Sequence, residues 1–313
     1  MEKLNNKKLR IIFAGIPDMA YICLNNLLNK KFDIVGVIPP RKTQVTSLAF
    51  KKFAKYKGMN LIEFQETPNE PACIEKIKAL NADIGVVCAY DIKFTKEFLN
   101  TTKMGYLNCH PSLLPDYRGA MPYFHIIKNG ETKSGVTIHY MDENFDTGDI
   151  ICQKEFEILP WETMGTLFNR TNHMLSDTLA EVLWKIQAGL RVDRIPQDRT
   201  KPYKKAPKVE GNFRINWNKN VSEISNLIRA CNPFYGAVTY FRNTNVKILR
   251  ASAIECLHES NCGQIADCNE ERLFVAAKDG IISVEVLQVG TWGIFSPKEF
   301  YHTFTPTRQE YFM

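Results

Sequence analysis

The first half of the chain alternates short β-branched runs with helical patterns, and that alternation restricts it to an α/β domain around a mostly parallel sheet. Strands are predicted at Leu9–Ala14, Asp33–Ile38, Leu61–Phe64, Asp83–Cys88, Tyr106–His110 and Gly135–Met141. Helices are predicted at Met19–Leu28, Leu48–Tyr56, Glu75–Leu80, Met121–Lys128 and Thr163–Ile186. The last of these repeats apolar residues near a 3.6 period, from Met164 and Leu167 to Leu183 and Ile186, and Gly189 ends it. The expected architecture is Rossmann-like, with helices on both faces of the sheet.

Past Gly189 the pattern changes. Arg191 to Lys208 is polar and basic, carries Pro196, Pro202 and Pro207, and has no periodicity, which predicts a linker. A short helix at Val221–Ala230 and β-patterned runs at Ala237–Phe241, Val246–Ser252, Leu273–Ala276 and Ile281–Val289 follow. They predict a smaller β-barrel-like domain of OB type. The expected division is 1–190, a linker at 191–208, and 209–313. The 313 residues, 44% hydrophobic, are enough for two such cores. No apolar run reaches bilayer-spanning length, and Ile11-Ile12-Phe13 is too short for a signal core, so a cytoplasmic protein without a membrane partner is expected. The nine cysteines form no Cys-x-x-Cys pair, which predicts reduced thiols and no metal site. The net charge of +6 suits an anionic partner of any kind, and nothing fixes the oligomeric state.

Three segments can carry chemistry. Phe13 to Ala20 is a strand, a turn at Gly15 and a helix, but it lacks the Gly-x-Gly-x-x-Gly spacing of a dinucleotide site, so a structural βα turn is expected. In Asn108-Cys109-His110-Pro111-Ser112-Leu113-Leu114-Pro115, alternation puts Asn108 and His110 on one face near the carboxyl end of a strand and Cys109 on the other. Two prolines then stiffen the loop. Asp142 to Asp149 is a tight acidic loop without the ligand pattern of a calcium site.

Together these segments resemble the folate-dependent formyltransferase family. In that family an Asn-x-His-x-Ser-Leu-Leu-Pro strand-loop and a later Asp-x-Gly loop form the active site, and both are intact here. Val87-Cys88-Ala89-Tyr90 is similar to the strand end that lines the family's folate pocket. Ile215-Asn216-Trp217, Asn226 to Ala230 and Asn232 to Ala237 are similar to the second domain of its methionyl-tRNA and aminoarabinose members. The resemblance covers nearly the whole chain.

The resemblance implies N10-formyltetrahydrofolate as co-substrate, no metal, and direct attack of an acceptor amine through a tetrahedral intermediate. It implies catalytic roles for Asn108, His110 and Asp146. Asn108 would donate an N–H to the oxyanion, His110 would donate and shuttle protons, and Asp146 would orient the imidazole or take the amine's proton. The folate would lie against Cys88, Tyr90, Asp91, Ile92, Ser112, Leu113, Leu114, Pro115, Asp142, Asn144 and Phe145. Asp91 departs from the family's usual glycine after the tyrosine. Arg118 and Gly15 are candidates for the acceptor side, whereas His125, His139, His173, His258 and His302 read as structural.

The acceptor is judged from one segment. Methionyl-tRNA formyltransferases carry a long, basic, glycine-rich insertion after the second strand. Here Ile38 to Thr46 is shorter, has no glycine and has two basic residues, Arg41 and Lys42. That favours a nucleotide-linked amino sugar, with methionyl-tRNA as the alternative and a formate-releasing hydrolase third. The basic residues Arg199, Lys201, Lys204, Lys205 and Lys208 are the counterweight toward tRNA.

Overall fold

Near-continuous burial of the central strands organises the first sheet. The computed structural model describes residues 8–40, 47–198, 200, 202–211 and 213–313. Arg41 to Thr46, on which the acceptor argument leans, and Arg199 and Lys201 lie outside the described residues. The strands are β1 (Arg10–Gly15), β2 (Asp33–Ile38), β3 (Ile84–Cys88), β4 (Tyr106–His110), β5 (Lys133–Tyr140) and β6 (Ile150–Glu157), in the order β2-β1-β3-β4-β5-β6. The pairs β1/β2, β1/β3 and β3/β4 are parallel, and β4/β5 is antiparallel.

The helices are α1 (Met19–Asn29), α2 (Ser47–Tyr56), α3 (Pro71–Ala79), α4 (Lys96–Leu99), α5 (Pro122–Lys128) and α6 (Met164–Gln187). Ile11, Phe13, Val86, Leu107 and Cys109 pack on one face against α1, α2 and α6. Ile12, Ala14, Val87 and Tyr106 pack on the other against α3 and α4. Helices therefore cover both faces, as expected of a buried parallel sheet. The predicted strand Leu61–Phe64 is reduced to a single bridge, Val37 to Leu61. Beyond it the Glu70 carboxylate accepts from the amides of Gln65, Glu66 and Thr67 and turns the chain.

Two compact units result, each assembled from three stretches of chain. The first takes in residues up to Pro122, Ser134–Phe156 and Asn169–Pro207, and the second Tyr123–Lys133, Glu157–Phe168 and Lys208–Met313. The stretch 191–207, read from the sequence as linker, is laid along the first unit: Ile195 bridges Ile150, and Lys205 bridges Arg118.

The second unit contains α7 (Val221–Cys231), β7 (Ala237–Phe241), β8 (Thr244–Glu255), β9 (Ile265–Cys268), β10 (Leu273–Ala277), β11 (Gly280–Val289), β12 (Gly293–Phe295) and α8 (Pro297–Phe304). Its sheet runs β7-β8-β11-β10-β9, with β12 on β11. The chain end ties its two edges together. Phe312 bridges Phe241 beside β7's end, and Tyr311 bridges Gln264 before β9, which gives the barrel-like closure. Phe241, Phe300 and Phe312 fill the interior. Among the described residues no helix is long and apolar enough to cross a membrane.

Candidate active site

Alternation along β4 sends Leu107 and Cys109 into the core under α1 and leaves Asn108 and His110 on the face of Tyr106. The loop that follows is fastened from β5 and β6. The Thr137 hydroxyl donates to Ser112 O at 2.6 Å and accepts from Leu114 N at 3.2 Å and Gln153 Nε2 at 3.0 Å. Gln153 Nε2 also donates to Leu114 O at 2.9 Å. The Ser112 hydroxyl closes the loop on Asp116 O.

The acidic loop folds by an equally local logic. Asp142 Oδ1 accepts from Asn144 N at 2.9 Å and from the Thr147 hydroxyl at 2.6 Å, so Asp142 shapes the loop. Gly148 is obligatory, because a Cβ there would lie 1.9 Å from Tyr140 O. That close approach carries Asp146 back over β4 in a left-handed conformation, φ 57°. Gln197 holds it there, donating from Nε2 to Asp146 O at 3.0 Å and to Gly148 O at 2.7 Å.

Asn108, His110 and Asp146 therefore meet. Asp146 Oδ1 lies 3.2 Å from Asn108 Nδ2 and 3.4 Å from His110 Nδ1, while Oδ2 accepts from Gly119 N at 3.0 Å. His110 Nε2 lies 2.9 Å from Tyr117 O. A carbonyl can only accept, so His110 Nε2 carries a proton, and Nδ1 faces the Asp146 carboxylate. The electrostatics agree. Burial pushes the His110 pKa down, but the Asp146 charge and hydrogen bond, with the Tyr117 carbonyl, raise it overall. Burial pushes Asp146 up, and the opposing charge and hydrogen bond of His110 bring it down to about 2. Each charge therefore favours the other, the imidazolium the carboxylate and the carboxylate the imidazolium.

A fourth residue joins them that the sequence reading called structural. His139 stands opposite Asn108 in the β4/β5 register, 1% exposed, with Nε2 at 3.0 Å from Asn108 Nδ2 and Nδ1 at 2.7 Å from Tyr140 O. Burial lowers its pKa to about 4, so it is neutral.

The remaining candidates divide into two groups. Phe145 is 46% exposed and lies beneath Lys93 Nζ, 5.5 Å from the ring centre, so the 90–93 and 142–146 segments meet. Ile92 is 8% exposed, Asp91 and Asn144 are exposed, and Leu113 and Pro115 are half-buried. Tyr90 donates its hydroxyl to Pro39 O. The Cys88 thiol is buried in a cluster with Cys23 and Cys109, so what that position offers a ligand is backbone. The three sulfurs lie within 4.8 Å of one another. Ser112 and Leu114 are likewise sealed in, the first hydroxyl committed to its loop. Gly15 is buried where a Cβ would meet Ala20 and Cys88 O, a packing reason for glycine. Arg118 is also buried, hydrogen-bonded to Gln197 and 4.7 Å from the Tyr203 ring centre, while its Nε has no partner among the described residues. Sequence reasoning missed Gln197 and Tyr203 by treating their stretch as linker.

A Rossmann-like domain with a buried imidazolium–carboxylate pair and an amide at one point, accompanied by a closed antiparallel sheet, defines a two-domain α/β transferase. Residues 8–183 match the formyl transferase family and residues 209–305 the formyl transferase C-terminal domain. The chain belongs to that family and is a folate-dependent formyltransferase. It is 33% identical over 294 residues to a methionyl-tRNA formyltransferase of Flavobacterium johnsoniae, covering 90% of this chain and 92% of that one. It is 34% identical over 289 residues to one of Clostridium tetani, with the same coverage. The fold is shared with the sugar 3N-formyl transferase WlaRD, solved with dTDP and 5-N-formyl-THF (TM-score 0.68, 24% identity, 89% of this chain and 98% of that one). It is also shared with the N-formyltransferase of Helicobacter canadensis, solved with folinic acid and dTDP-3-aminofucose (TM-score 0.66, 24% identity, 88% and 98%).

Proposed function

We propose that this chain transfers the formyl group of N10-formyltetrahydrofolate to the amine of methionyl-tRNA. The chemistry rests on one observation, the His110 ring held against the Asp146 carboxylate beside Asn108. The acceptor rests on relatives that match at 33–34% identity over 90% of the chain and are methionyl-tRNA formyltransferases. That reverses the preference drawn from the short segment after β2.

The residues suit a folate. A flat heterocycle needs apolar surface beside accessible backbone, and the exposed ring of Phe145 supplies it where the 90–93 and 142–146 segments meet. When bound, the folate supplies an activated formyl carbonyl. The chain's own groups do the rest. With its two nitrogens turned to Tyr117 O and Asp146, His110 acts on the oxygen that gains negative charge through the positive charge of its ring, an electrostatic arrangement typically worth about a hundredfold to a thousandfold. Asp146 receives the proton the amine sheds, directly or through water, and His110 supplies one to the departing nitrogen. Asp146 then restores the His110 proton, so the pair ends as it began. The nine reduced cysteines suit the cytosol as the place of action.

A second reading, a nucleotide-linked amino sugar as acceptor, keeps specific support in the glycine-free segment Ile38 to Thr46. One assay separates the two. The enzyme is given N10-formyltetrahydrofolate with initiator methionyl-tRNA or with amino-sugar nucleotides, and kcat/KM is compared across salt concentrations. The tRNA reading expects efficient formylation with kcat/KM falling steeply as salt rises, because many phosphates are neutralised. Turnover on a sugar nucleotide with shallow salt dependence, and none on tRNA, would move the enzyme to the second reading.

A further inference from the structure

We infer that His139 is a positioning residue of the transfer site, which fixes the Asn108 amide with its carbonyl oxygen toward the ligand. The argument is one of hydrogen-bond accounting. Tyr140 O can only accept, so the proton of His139 sits on Nδ1, 2.7 Å away. Burial outweighs the Asp146 Oδ1 charge 3.8 Å from Nε2 and lowers the ring's pKa to about 4, which leaves Nε2 a lone pair for the Asn108 nitrogen at 3.0 Å. The Asn108 atom 3.0 Å from that lone pair must be a donor, and this settles the amide as Nδ2 inward.

Asp146 repeats the demand. Its Oδ1, a carboxylate oxygen, lies 3.2 Å from the same nitrogen. Two acceptors on separate elements, β5 and the acidic loop, thus claim the two N–H bonds of one amide. Asn108 Oδ1 has no protein partner among the described residues, and it is not among the sealed-in polar atoms. Asn108 is half-buried, so Oδ1 is the end a ligand meets.

The consequence concerns the acceptor, and it rests on the formyl-transfer reading above. A carbonyl oxygen recognises an N–H. Asn108 therefore accepts from the incoming amine and aims its lone pair, and stabilising the developing oxyanion falls to the charge of His110. An Asn108 with the opposite orientation would set its oxygen against the lone pair of His139 and the charge of Asp146. His139 touches no reacting atom in this account and acts through Asn108.

The first test needs no turnover. The 15N signals of His139 report its tautomer: a protonated Nδ1 and a bare Nε2 are expected, and a proton on Nε2 would overturn the inference whatever the enzyme catalyses. The second is a double-mutant cycle at saturating formyl donor, with folding checked by circular dichroism. His139→Leu should lower kcat/KM for the acceptor about tenfold, roughly one lost hydrogen bond. It should change the activity of Asn108→Ala less than about twofold, since the two act in series. His139→Gln, which can still accept from Nδ2, should stay within about threefold of wild type. Loss in His139→Leu that multiplies with the Asn108→Ala loss, or no loss at all, would assign His139 to the core only. If the wild-type enzyme formylates no amine, the functional reading fails while the tautomer measurement still decides this one.

Discussion

At the scale of residues, the site works as a unit and should fail as one. Asn108→Ala, His110→Ala and Asp146→Ala are each expected to fold and to lose roughly two to three orders of magnitude in kcat, with double variants little worse than singles. Near wild-type turnover by His110→Ala at saturating donor would remove that residue from the mechanism. The three titrating groups also predict pH behaviour. The raised His110 pKa means its ion pair stabilises fully below about 6.5, the ordinary histidine value, and is lost as pH rises through the folded value. The lowered Asp146 pKa means its share is present above about 4 and is lost as pH falls through about 2. Turnover should accordingly decline on the alkaline side as His110 deprotonates. His139 acts in the opposite sense to His110. Held neutral down to about 4, it leaves the unfolded chain binding a proton that the native chain refuses, so stability falls as pH drops from about 6.5 toward 4. At full extent that is on the order of 3 kcal/mol, and urea titrations across this window should show a flatter dependence for His139→Leu than for wild type. Equal slopes would mean that His139 is charged in the native protein.

At the scale of elements, the loops are aimed by groups outside them. Thr137→Val removes a hydroxyl that holds both Ser112 and Leu114, and it should cost about 1–3 kcal/mol in unfolding free energy together with turnover, since the loop after His110 loses its tether. An unchanged kcat would show that the loop holds itself. How much of this was legible depends on whether local chemistry or long-range register decides. Strands β2 and β4 fall where their β-branched and apolar runs predict, because both faces of each are covered. Strand β6 received no bounds from the sequence, because Gln153, Lys154, Glu155 and Glu157 give an edge strand's polar sequence. Helix α8 left a readable signal, Ser296-Pro297-Lys298-Glu299, whose serine and glutamate form a capping box. The Asn108, His110 and Asp146 set was legible through its motif spacing. His139 was not, since only the antiparallel pairing of β4 with β5 puts it across from Asn108. Gln197 was hidden more deeply, in a proline-rich basic run without any periodic signal.

At the scale of the whole molecule, the boundary of the first unit is itself a functional statement. A division at Leu190 follows the end of α6, but the first compact unit continues to Pro207. Between those points lie Ile195, bridged to Ile150, and Gln197, whose amide holds the carbonyls of Asp146 and Gly148. A chain ended after Leu190 should therefore lose the Gln197 support of the acidic loop, leaving the left-handed backbone of Asp146 to the side-chain contacts with Asn108, His110 and Gly119 N. A chain ended after Pro207 keeps that support. Either truncation strands Tyr123–Lys133 and Glu157–Phe168, which belong to the second unit, so both shortened proteins should be less stable than the full chain. Only the shorter one should bind tetrahydrofolate distinctly more weakly than its stability loss explains, as read by fluorescence titration at a temperature where both remain folded. Gln197→Ala in the full-length chain supplies the control, because it removes the tether and leaves the second unit alone. It should weaken folate binding and turnover together while shifting unfolding by no more than about 1–2 kcal/mol. If Gln197→Ala and the two truncations all bind the folate alike, the stretch 191–207 is a linker after all, and the acidic loop holds its own shape.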